Sequence, residues 1–546
     1  MEVQTAWVKP PNQIGGLDHL SVQAPCINIY GRMLPGITNV TDRARYYSFY
    51  PWIVWALEQA GYRYNDTFID QFRKADCLFT LIAHRHAHLT GTDHEGHAGA
   101  TTGSANIAHQ ISEIKNNQSV TLSEIAHRED KPGRYFKNKL GGLGQYYLGV
   151  FAELGIMDGN GSSGIANTNQ IGRILAEAVD QGVDRSLFLQ TLDENIVTAE
   201  RLDELASFCP CHLKNNPQEH QLLADLFFVR NLFEETDLLA RRRSLQVMLY
   251  LADELARFDQ SIDLAAFRGA VYSGALPNGD AWSLPERLNQ NRCRWAVYQR
   301  NELLSIAVQG IFFVLLDAYE ESGLRFESSE QLCQWFVSSL DVAAFESSIS
   351  LEMTVADLAV STDSWLPSLS DWAHEHHEMQ LANLIESLCD KKATPDYRSR
   401  ILEAALNILI ALMKRPETQT GYEEFVFNGH YFDVYPINLK SFLFHCSQTW
   451  GHLRVWEWIA WLGHEWGVHT HFMVALRKLR GQSQSTFRIR PSDQGLEVIS
   501  VPHAVFTSPR FNQSLRILKD IGALEKNGTV WVTSSLGKQL REVGDE

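Results

Sequence analysis

The sequence lacks the features of a secreted or membrane-bound protein. Residues 1–16 show no charged-then-apolar pattern of a secretion signal. The longest apolar runs, residues 306–316 and 404–413, are too short to span a bilayer, and each contains a polar amide. The eight cysteines are scattered over 546 residues, which is typical of reduced thiols in a cytoplasm. We therefore expect a soluble, cytoplasmic protein without a membrane partner.

Positive charge is scarce, and so are the motifs of common enzyme classes. With 48 Lys and Arg against 65 Asp and Glu, the net charge of −17 argues against a protein that coats nucleic acid over its whole surface. There is no GxxxxGK[ST] phosphate-binding loop, no GxSxG nucleophile turn and no set of kinase motifs. The glycines of residues 141–149 do not have dinucleotide-binding spacing. We predict no catalytic residue and no cofactor.

The composition indicates a large, folded, mainly α protein. Hydrophobic residues make up 45% of the chain, with 14 Trp, 17 Tyr and 27 Phe, and 546 residues exceed one ordinary domain. Helical spacing of apolar residues predicts a multi-helix body at residues 168–480. We place an N-terminal, mostly helical domain at residues 1–158, with a small α/β region suggested by the alternation at residues 27–30. The Gly- and Ser-rich residues 159–164 are the predicted linker between them.

The densest apolar segment near the N-terminus is residues 34–61. Its aromatic residues leave almost no polar face, so we predict one kinked helix or two helices around Pro51, buried in a core. Positive charge occurs only near the start of the segment, at Arg43 and Arg45. We interpret these arginines as partners of buried carboxylates or carbonyls; phosphate binding is the alternative. The residues of this structural signature are Arg43, Arg45, Tyr46 and Trp52.

The same segment resembles the opening of a known family. The residues that carry the resemblance are Pro35, Gly36, Arg43, Ala44, Arg45, Tyr46, Phe49, Pro51 and Trp52. They are similar to the signature, roughly PGTSTxQTRARYFxFVPW, of an uncharacterised bacterial family that is encoded in anti-phage defence gene clusters. Residues 146–156 resemble the next block of that family, whereas Asp42 and Tyr50 stand where the family has Thr and Val. The resemblance implies a setting, bacterial immunity, and no particular reaction.

Positive charge is concentrated at the C-terminal end. Residues 471–546 contain eleven Lys and Arg against seven Asp and Glu. Thr507 and Ser508, followed by Pro509, predict the start of a helix that ends at Gly522. One face of this helix should be buried, because apolar residues recur there at helical spacing. These apolar residues are Phe511, Leu515 and Leu518.

A hairpin and a last helix should follow. Asn527-Gly528 predicts a tight turn between two short strands, and Ser534 or Ser535 can cap the final helix. This order resembles a winged-helix domain, which we place at residues 481–546. In such domains the exposed side of the helix before the hairpin enters the major groove, where Arg binds guanine and Asn or Gln binds adenine. The residues that we predict to contact DNA are Arg488, Arg490, Arg510, Asn512, Gln513, Arg516, Lys519 and Lys526.

Two segments contain residue types that bind metals. Residues 84–97 carry five histidines with Asp93 and Glu95, but alternating histidines on a helix do not share one face, and the glycines that follow indicate a solvated loop. Residues 209–212, Cys-Pro-Cys-His, offer four ligands together with His220, yet Cys-x-Cys is not a usual zinc spacing. We therefore predict no metal site.

The function that we predict is a non-enzymatic, DNA-binding accessory subunit of an anti-phage defence system. Its C-terminal winged helix would contact double-stranded DNA, and its helical body would contact other subunits, for example a helicase or another ATPase. One alternative is a metal-dependent nuclease or hydrolase that uses residues 84–115, where Asp93 and Glu113-Ile114-Lys115 have the order of restriction-type endonucleases. The other is a pure assembly subunit without nucleic acid contact.

Overall fold

The protein is mainly helical, which confirms the predicted class. The computed structural model describes residues 12–13, 18–91, 94–131, 133–158, 164–233, 236–341, 345, 349–362, 366–392, 396–415, 432–479 and 484–544. The chain forms two compact units: Met1–Tyr30 with Ala265–Pro509, the first unit, and Gly31–Leu264 with Arg510–Glu546, the second unit. The predicted domains at residues 1–158, 168–480 and 481–546 stay predictions, because spatial grouping does not test independent folding.

The first unit is built around one long helix, Glu286–Ser322, against which Glu378–Lys391 and Tyr397–Lys414 pack. An 18-residue window of this helix has a mean hydropathy of 1.6 and is 89% buried inside the protein. Core helices and membrane spans share such a composition, so the cytoplasmic location stays a prediction.

The other described helices of the first unit are Ala24–Met33, Leu264–Ser273, Ser329–Ser338, Val355–Ser361, Leu439–Gln448, Val455–Trp461 and Thr470–Leu479, with a 3-10 turn at Trp450–His452 and a π-helix at Leu462–His469.

Among the described residues, the first unit has two short strand pairs. Asn12–Gln13 runs parallel to Gln484–Ser485, and Ile489–Ser492 forms an antiparallel hairpin with Gly495–Val498. The prediction of β-structure at residues 27–30 is wrong, because these residues lie in the helix Ala24–Met33. The spacing of the buried side chains is helical, and this pattern outweighs the short alternation. The buried residues are Pro25, Cys26, Ile29, Tyr30 and Met33.

The second unit contains the signature helix, Tyr46–Gln59. It is a single helix that continues through Pro51, and every residue from Tyr46 to Leu57 except Trp55 is buried. The predicted burial of this segment is therefore confirmed. The long helix Asp66–Thr90 packs beside it and begins where the Asn65 side chain accepts a hydrogen bond from the Phe68 backbone N–H at 2.9 Å.

Shorter elements complete the second unit. Its other helices before the C-terminal part are His94–His97, Ala108–Lys115, Leu122–Ile125, Leu148–Glu153, Gly172–Asp180, Arg185–Glu194, Ala199–Glu204, Pro217–Phe228 and Leu239–Ala256. It has 3-10 turns at Ser104–Ile107, Ala206–Phe208, Pro210–Asn215, Asn231–Phe233 and Thr236–Leu238 and a π-helix at Leu143–Tyr147. Val120–Thr121 pairs with Ile196–Val197, and Met157–Asp158 with Ala166–Asn167, both antiparallel. Of the predicted linker, only Gly164 lies among the described residues.

Residues 510–544, the C-terminal module, form a helix, a hairpin and a helix. The elements are the helix Phe511–Asp520, the strands Leu524–Asn527 and Val530–Thr533, and the helix Ser535–Arg541. The predicted apolar face is confirmed, since Phe511, Leu515 and Leu518 are buried. Ser534 is the cap of the last helix, with its hydroxyl oxygen accepting from the Gly537 backbone N–H at 3.0 Å.

Two details of the module differ from the prediction. Asn527 pairs with Val530, so the turn is centred one residue later than expected, on Gly528, whose φ is 62°, and Thr529. The helix begins at Phe511 and not at Pro509, and Thr507 does not cap it. The physical reason is that the backbone N–H and the hydroxyl of Thr507 donate to the Glu302 carboxylate, at 2.5 and 2.6 Å.

Candidate functional site

The guanidinium of Arg43 connects three segments of the second unit. It is buried and forms a bidentate ion pair with Asp520, with Nε 3.0 Å from Oδ2 and Nη2 2.9 Å from Oδ1. Nη1 also donates to the carbonyl of Gly99 at 2.9 Å, and Nη2 to that of Gly96 at 2.8 Å. Burial raises the pKa of Asp520, while the charge of Arg43 lowers it. Arg43 therefore ties the signature to the C-terminal helix and to residues 96–99.

Arg45 makes a second buried network of the same kind. Its Nε and Nη2 donate to the two carboxylate oxygens of Glu219 at 3.2 and 3.1 Å. Its Nη1 donates to the carbonyls of Ser207 and Cys209, both at 2.6 Å. The Ser48 hydroxyl also donates to Glu219, at 2.7 Å. Arg43 and Arg45 thus pair with buried carboxylates and carbonyls, as we predicted from the sequence.

Tyr46 and Trp52, the other signature residues, are also fully buried and hydrogen-bonded. The Tyr46 hydroxyl accepts from the Thr102 backbone N–H at 2.9 Å, and the Trp52 indole N–H donates to Asp180 at 3.1 Å. Their rings pack into one aromatic cluster, in which the centroids of Phe49 and Trp52 lie 5.9 Å apart. All four signature residues thus act in packing the second unit.

The two positions that depart from the family signature both make polar contacts. The Tyr50 hydroxyl donates to Asp76 at 2.8 Å, and the Gly142 backbone N–H donates to the other oxygen of Asp76, also at 2.8 Å. Burial raises the pKa of Asp76 to about 6, although these hydrogen bonds lower it. Asp42 forms an ion pair with Arg516 at 3.2 Å. Each departure therefore has a partner elsewhere in the second unit.

Four residues of metal-binding type lie together in what we call the His–Cys cluster: His86, on the helix Asp66–Thr90, and His97, Cys209 and Cys211, in or beside the segments that Arg43 and Arg45 contact. Nδ1 of His86 lies 3.1 Å from Nδ1 of His97 and 3.3 Å from Sγ of Cys211. Nδ1 of His97 lies 3.5 Å from Sγ of Cys209. All four atoms lie within 4.8 Å of one another.

Burial and charge differ among the members of the cluster. Cys209 and His97 are buried, at 0% and 8% exposure, whereas His86 and Cys211 are half-buried. Burial raises the pKa of the Cys209 thiol. The hydrogen bond from Cys209, followed by the positive charge of Arg45, lowers the pKa of Cys211. The Cys211 thiol therefore releases its proton more readily than the Cys209 thiol.

In the sequence the two halves of this cluster lie in separate segments, and we predicted no metal site from either one. His86 and His97 were two of five histidines in one segment, and Cys209 and Cys211 belonged to the other. His220, grouped with the cysteines by sequence, instead hydrogen-bonds the carbonyl of Ile521 at 2.7 Å. Asp93 and the side chains of His94 and Glu95 lie outside the described residues. The signal in the sequence was that each segment held several residues of types that bind metals.

The region of the alternative nuclease has a different secondary structure from that of a nuclease sheet. Glu113 and Lys115 lie on the helix Ala108–Lys115, whereas restriction-type carboxylates stand on neighbouring strands. His109 lies 3.9 Å from Glu113 across one turn of the same helix. The described residues therefore give this alternative no supporting geometry.

Some of the predicted DNA-contacting residues form hydrogen bonds or ion pairs within their own unit. Arg510 donates through Nη1 to the carbonyl of Leu34 at 3.0 Å, and Gln513 donates to the carbonyl of Asn39 at 3.2 Å. Arg516, with its side chain 27% exposed, is the partner of Asp42. The predicted polar face of the helix thus lies partly against residues 34–42.

Other members of the predicted set reach solvent. Asn512 and Lys526 are exposed, and Lys519 is half-buried. The ammonium groups of Lys519 and Lys526 lie 4.1 and 5.6 Å from the ring centroid of Trp531. These side chains bring positive charge to the hairpin.

Arg488 and Arg490 belong to the first unit, unlike the six other candidates. Arg488 is buried and donates to the Ser500 hydroxyl at 2.7 Å and to a ring nitrogen of His19 at 3.2 Å. Arg490 is exposed on the strand Ile489–Ser492 and pairs with Glu497 at 3.2 Å.

Comparison with family models, with curated proteins and with solved structures finds no match. The resemblance of residues 35–52 to the signature of the bacterial family therefore stays a prediction.

Proposed function

We propose that this protein is a non-enzymatic accessory subunit that contacts duplex DNA through its C-terminal module and works in a bacterial anti-phage defence system. The defence setting follows from the resemblance of residues 35–52 to the family signature. The observation that carries the DNA contact is the pair of ammonium groups, of Lys519 and Lys526, beside the ring of Trp531, with Lys526 exposed on the hairpin. Such groups bind phosphates and release counterions.

The order of helix, hairpin and helix supports assigning the module to the winged-helix fold. In DNA-binding modules of this type, a helix enters the major groove and flanking basic residues contact the backbone. Asn512, exposed in the first turn of the helix Phe511–Asp520, offers an amide that can pair with adenine. Lys526 offers a phosphate contact from the hairpin.

The proposed contact surface is smaller than the face predicted from the sequence. It leaves out Arg510 and Gln513, because both donate to carbonyls of their own unit. It also leaves out Arg488 and Arg490, because they belong to the first unit and not to the C-terminal module. It keeps Arg516, because its side chain is 27% exposed although it pairs with Asp42 at 3.2 Å. The contact set is Asn512, Arg516, Lys519 and Lys526.

Duplex binding by the full-length protein, measured by fluorescence anisotropy over a series of salt concentrations, tests this proposal. We expect the affinity to fall steeply with salt, with a logarithmic slope of about −0.9 for each phosphate contact. A plasmid incubated with the protein and Mg²⁺, then Mn²⁺, should stay intact. No binding at low salt would contradict DNA contact, and cleavage would contradict the non-enzymatic role.

An assembly role without nucleic acid is the second candidate, and one observation favours it. Met473 and Leu476 are 60% and 52% exposed and stand three residues apart, on one face of the helix Thr470–Leu479. Exposed apolar side chains at such spacing are typical of protein contacts. Absence of duplex binding, together with loss of association between the Met473→Glu/Leu476→Glu variant and the products of neighbouring genes, would support this candidate.

A further inference from the structure

Three of the ligand-to-ligand distances in the His–Cys cluster are close to the edges of a tetrahedral metal site. With Zn–N at about 2.05 Å and Zn–S at about 2.3 Å, two nitrogens of such a site lie about 3.3 Å apart, and a nitrogen and a sulfur about 3.6 Å. The two Nδ1 atoms here are separated by 3.1 Å, and the two nitrogen–sulfur distances are 3.5 and 3.3 Å. The four atoms, all within 4.8 Å of one another, are therefore close enough to bind one small cation between them.

Hydrogen bonds alone cannot satisfy this arrangement. An imidazole Nδ1 carries either one proton or one lone pair, so it takes part in one good hydrogen bond. Yet Nδ1 of His86 lies within 3.3 Å of both His97 and Cys211, and Nδ1 of His97 lies within 3.5 Å of both His86 and Cys209. A cation at the centre would engage all four atoms at once. We propose that His86, His97, Cys209 and Cys211 bind one Zn²⁺ ion.

The donor set selects zinc and a structural role. A tetrahedral set of two thiolates and two imidazoles is typical of zinc sites. Among the divalent metals of the cell, Zn²⁺ therefore fits this set best. The two negative thiolates balance the two positive charges of the ion, so the site as a whole is neutral. A neutral site costs less to bury, and Cys209 and His97 are both buried. Because four protein ligands fill the tetrahedron, no position stays open for water or substrate. The ion joins two segments, residues 86–97 and 209–211, as a cross-link.

The signature arginines give this site its outer support. Arg45 donates to the carbonyl of Cys209 itself, and Arg43 donates to the carbonyls of Gly96 and Gly99, on either side of His97. Hydrogen bonds just outside a metal site orient its ligands and raise its affinity. Arg43 and Arg45 are therefore positioning residues for the metal. This role explains why both guanidiniums are buried beside the segments that carry His97 and Cys209.

Metal analysis of untagged, full-length protein, purified with a reducing agent, tests the proposal. We expect about one zinc per chain in the wild type, as in other sites of four protein ligands. The variants Cys211→Ser and His97→Ala should lose nearly all of it. The matched control is His88→Ala, because His88 is exposed on the same helix as His86 and lies outside the cluster, and it should keep its zinc. A wild type without zinc after reconstitution, or a Cys211→Ser variant with unchanged zinc, would overturn the proposal.

A second measurement does not depend on whether these variants fold. Wild-type protein stripped with a chelator and reloaded with Co²⁺ should show the intense visible bands of tetrahedral cobalt and a thiolate-to-cobalt charge-transfer band. Cys211→His exchanges one sulfur ligand for nitrogen, so it should keep the metal and weaken the charge-transfer band. A weak spectrum of octahedral type, or no change in Cys211→His, would contradict coordination by the two cysteines. Removal of the metal should also lower the melting temperature of the wild type, and unchanged melting would refute the structural role.

Discussion

Arg43 and Asp520 form a buried, bidentate ion pair although 477 positions separate them along the chain. The backbone N–H of Ala44 donates to the same carboxylate at 3.0 Å. Asp520 ends the helix Phe511–Asp520, so the pair holds the C-terminal module against the signature segment within the second unit. The module is therefore part of a larger core and not an appendage.

Asp520→Ala should destabilise the second unit strongly. Removing one partner of a buried ion pair leaves an uncompensated charge and costs about 3–5 kcal/mol. Urea unfolding followed by circular dichroism measures this loss. The control is Glu254→Ala, since Glu254 pairs with Arg257, which is 69% exposed, and such a surface pair contributes at most about 1 kcal/mol. Equal losses in both variants would contradict the buried character of the Arg43–Asp520 pair.

Leu518→Ala tests the packing of the C-terminal helix in another way. Leu518 is 0% exposed, and replacing a buried leucine by alanine costs about 2–5 kcal/mol through lost burial and the cavity left behind. The comparison variant is Leu232→Ala, because Leu232 is 47% exposed in the same unit and should change the stability by less than about 0.5 kcal/mol. A mild effect of Leu518→Ala in thermal unfolding would show that the helix is loosely held.

Arg45→Lys should weaken metal binding while keeping the charge. A lysine ammonium cannot reproduce the four hydrogen bonds that Arg45 makes to Glu219, Ser207 and Cys209. Loss of such an outer contact lowers metal affinity by about 10–100-fold, which competition with a zinc chelator measures. Arg173→Lys, at an exposed pair with Glu177, serves as the control. Equal affinities of Arg45→Lys and wild type would remove the positioning role.

Asp76 should give the second unit a pH-dependent stability. Its pKa is raised by burial from 3.8 to about 6 in the folded state. Below the unfolded value both states are protonated. Between 3.8 and about 6 the unfolded chain releases the proton and the folded chain keeps it, so the free energy of unfolding falls as the pH rises. Above about pH 6 the free energy of unfolding should be about 3 kcal/mol lower than it is below pH 3.8.

Asp76→Asn does not titrate, so the difference in stability between the wild type and this variant should change between pH 4 and 7 and be flat outside that range, as chemical unfolding at several pH values would measure. Tyr50→Phe removes a hydrogen bond to the Asp76 carboxylate and should therefore raise the pKa of Asp76 further. The decrease in the free energy of unfolding should then extend to higher pH. A constant difference between wild type and Asp76→Asn over the whole range would contradict the raised pKa.

Lys526→Glu should weaken DNA binding without affecting stability. Lys526 is exposed on the hairpin, so the reversal removes a phosphate contact and adds repulsion. We expect the logarithmic salt slope to fall in magnitude by at least about one. Lys115→Glu makes the same charge change at an exposed end of the helix Ala108–Lys115 and should bind DNA as the wild type does. If both variants bound equally well, the hairpin would not be the contact surface.

Local pattern decided a large part of this structure. The mainly helical class, the burial of the signature helix, the apolar face at Phe511, Leu515 and Leu518, and the cap at Ser534 all follow from residues a few positions apart. Helical periodicity and capping act within one or two turns, so a short window of sequence contains them. Where a local signal failed, as at Thr507, a carboxylate more than two hundred positions away had taken up the capping group.

Long-range packing decided the His–Cys cluster and the ion pairs around it. Cys209 meets His97 across 112 positions and Cys211 meets His86 across 125, and neither half of the cluster has a metal-binding spacing of its own. No periodicity within one element specifies which loop of another element will face it. That choice is made when apolar faces bury one another, and the buried guanidiniums of Arg43 and Arg45 then fix the segments that carry His97 and Cys209.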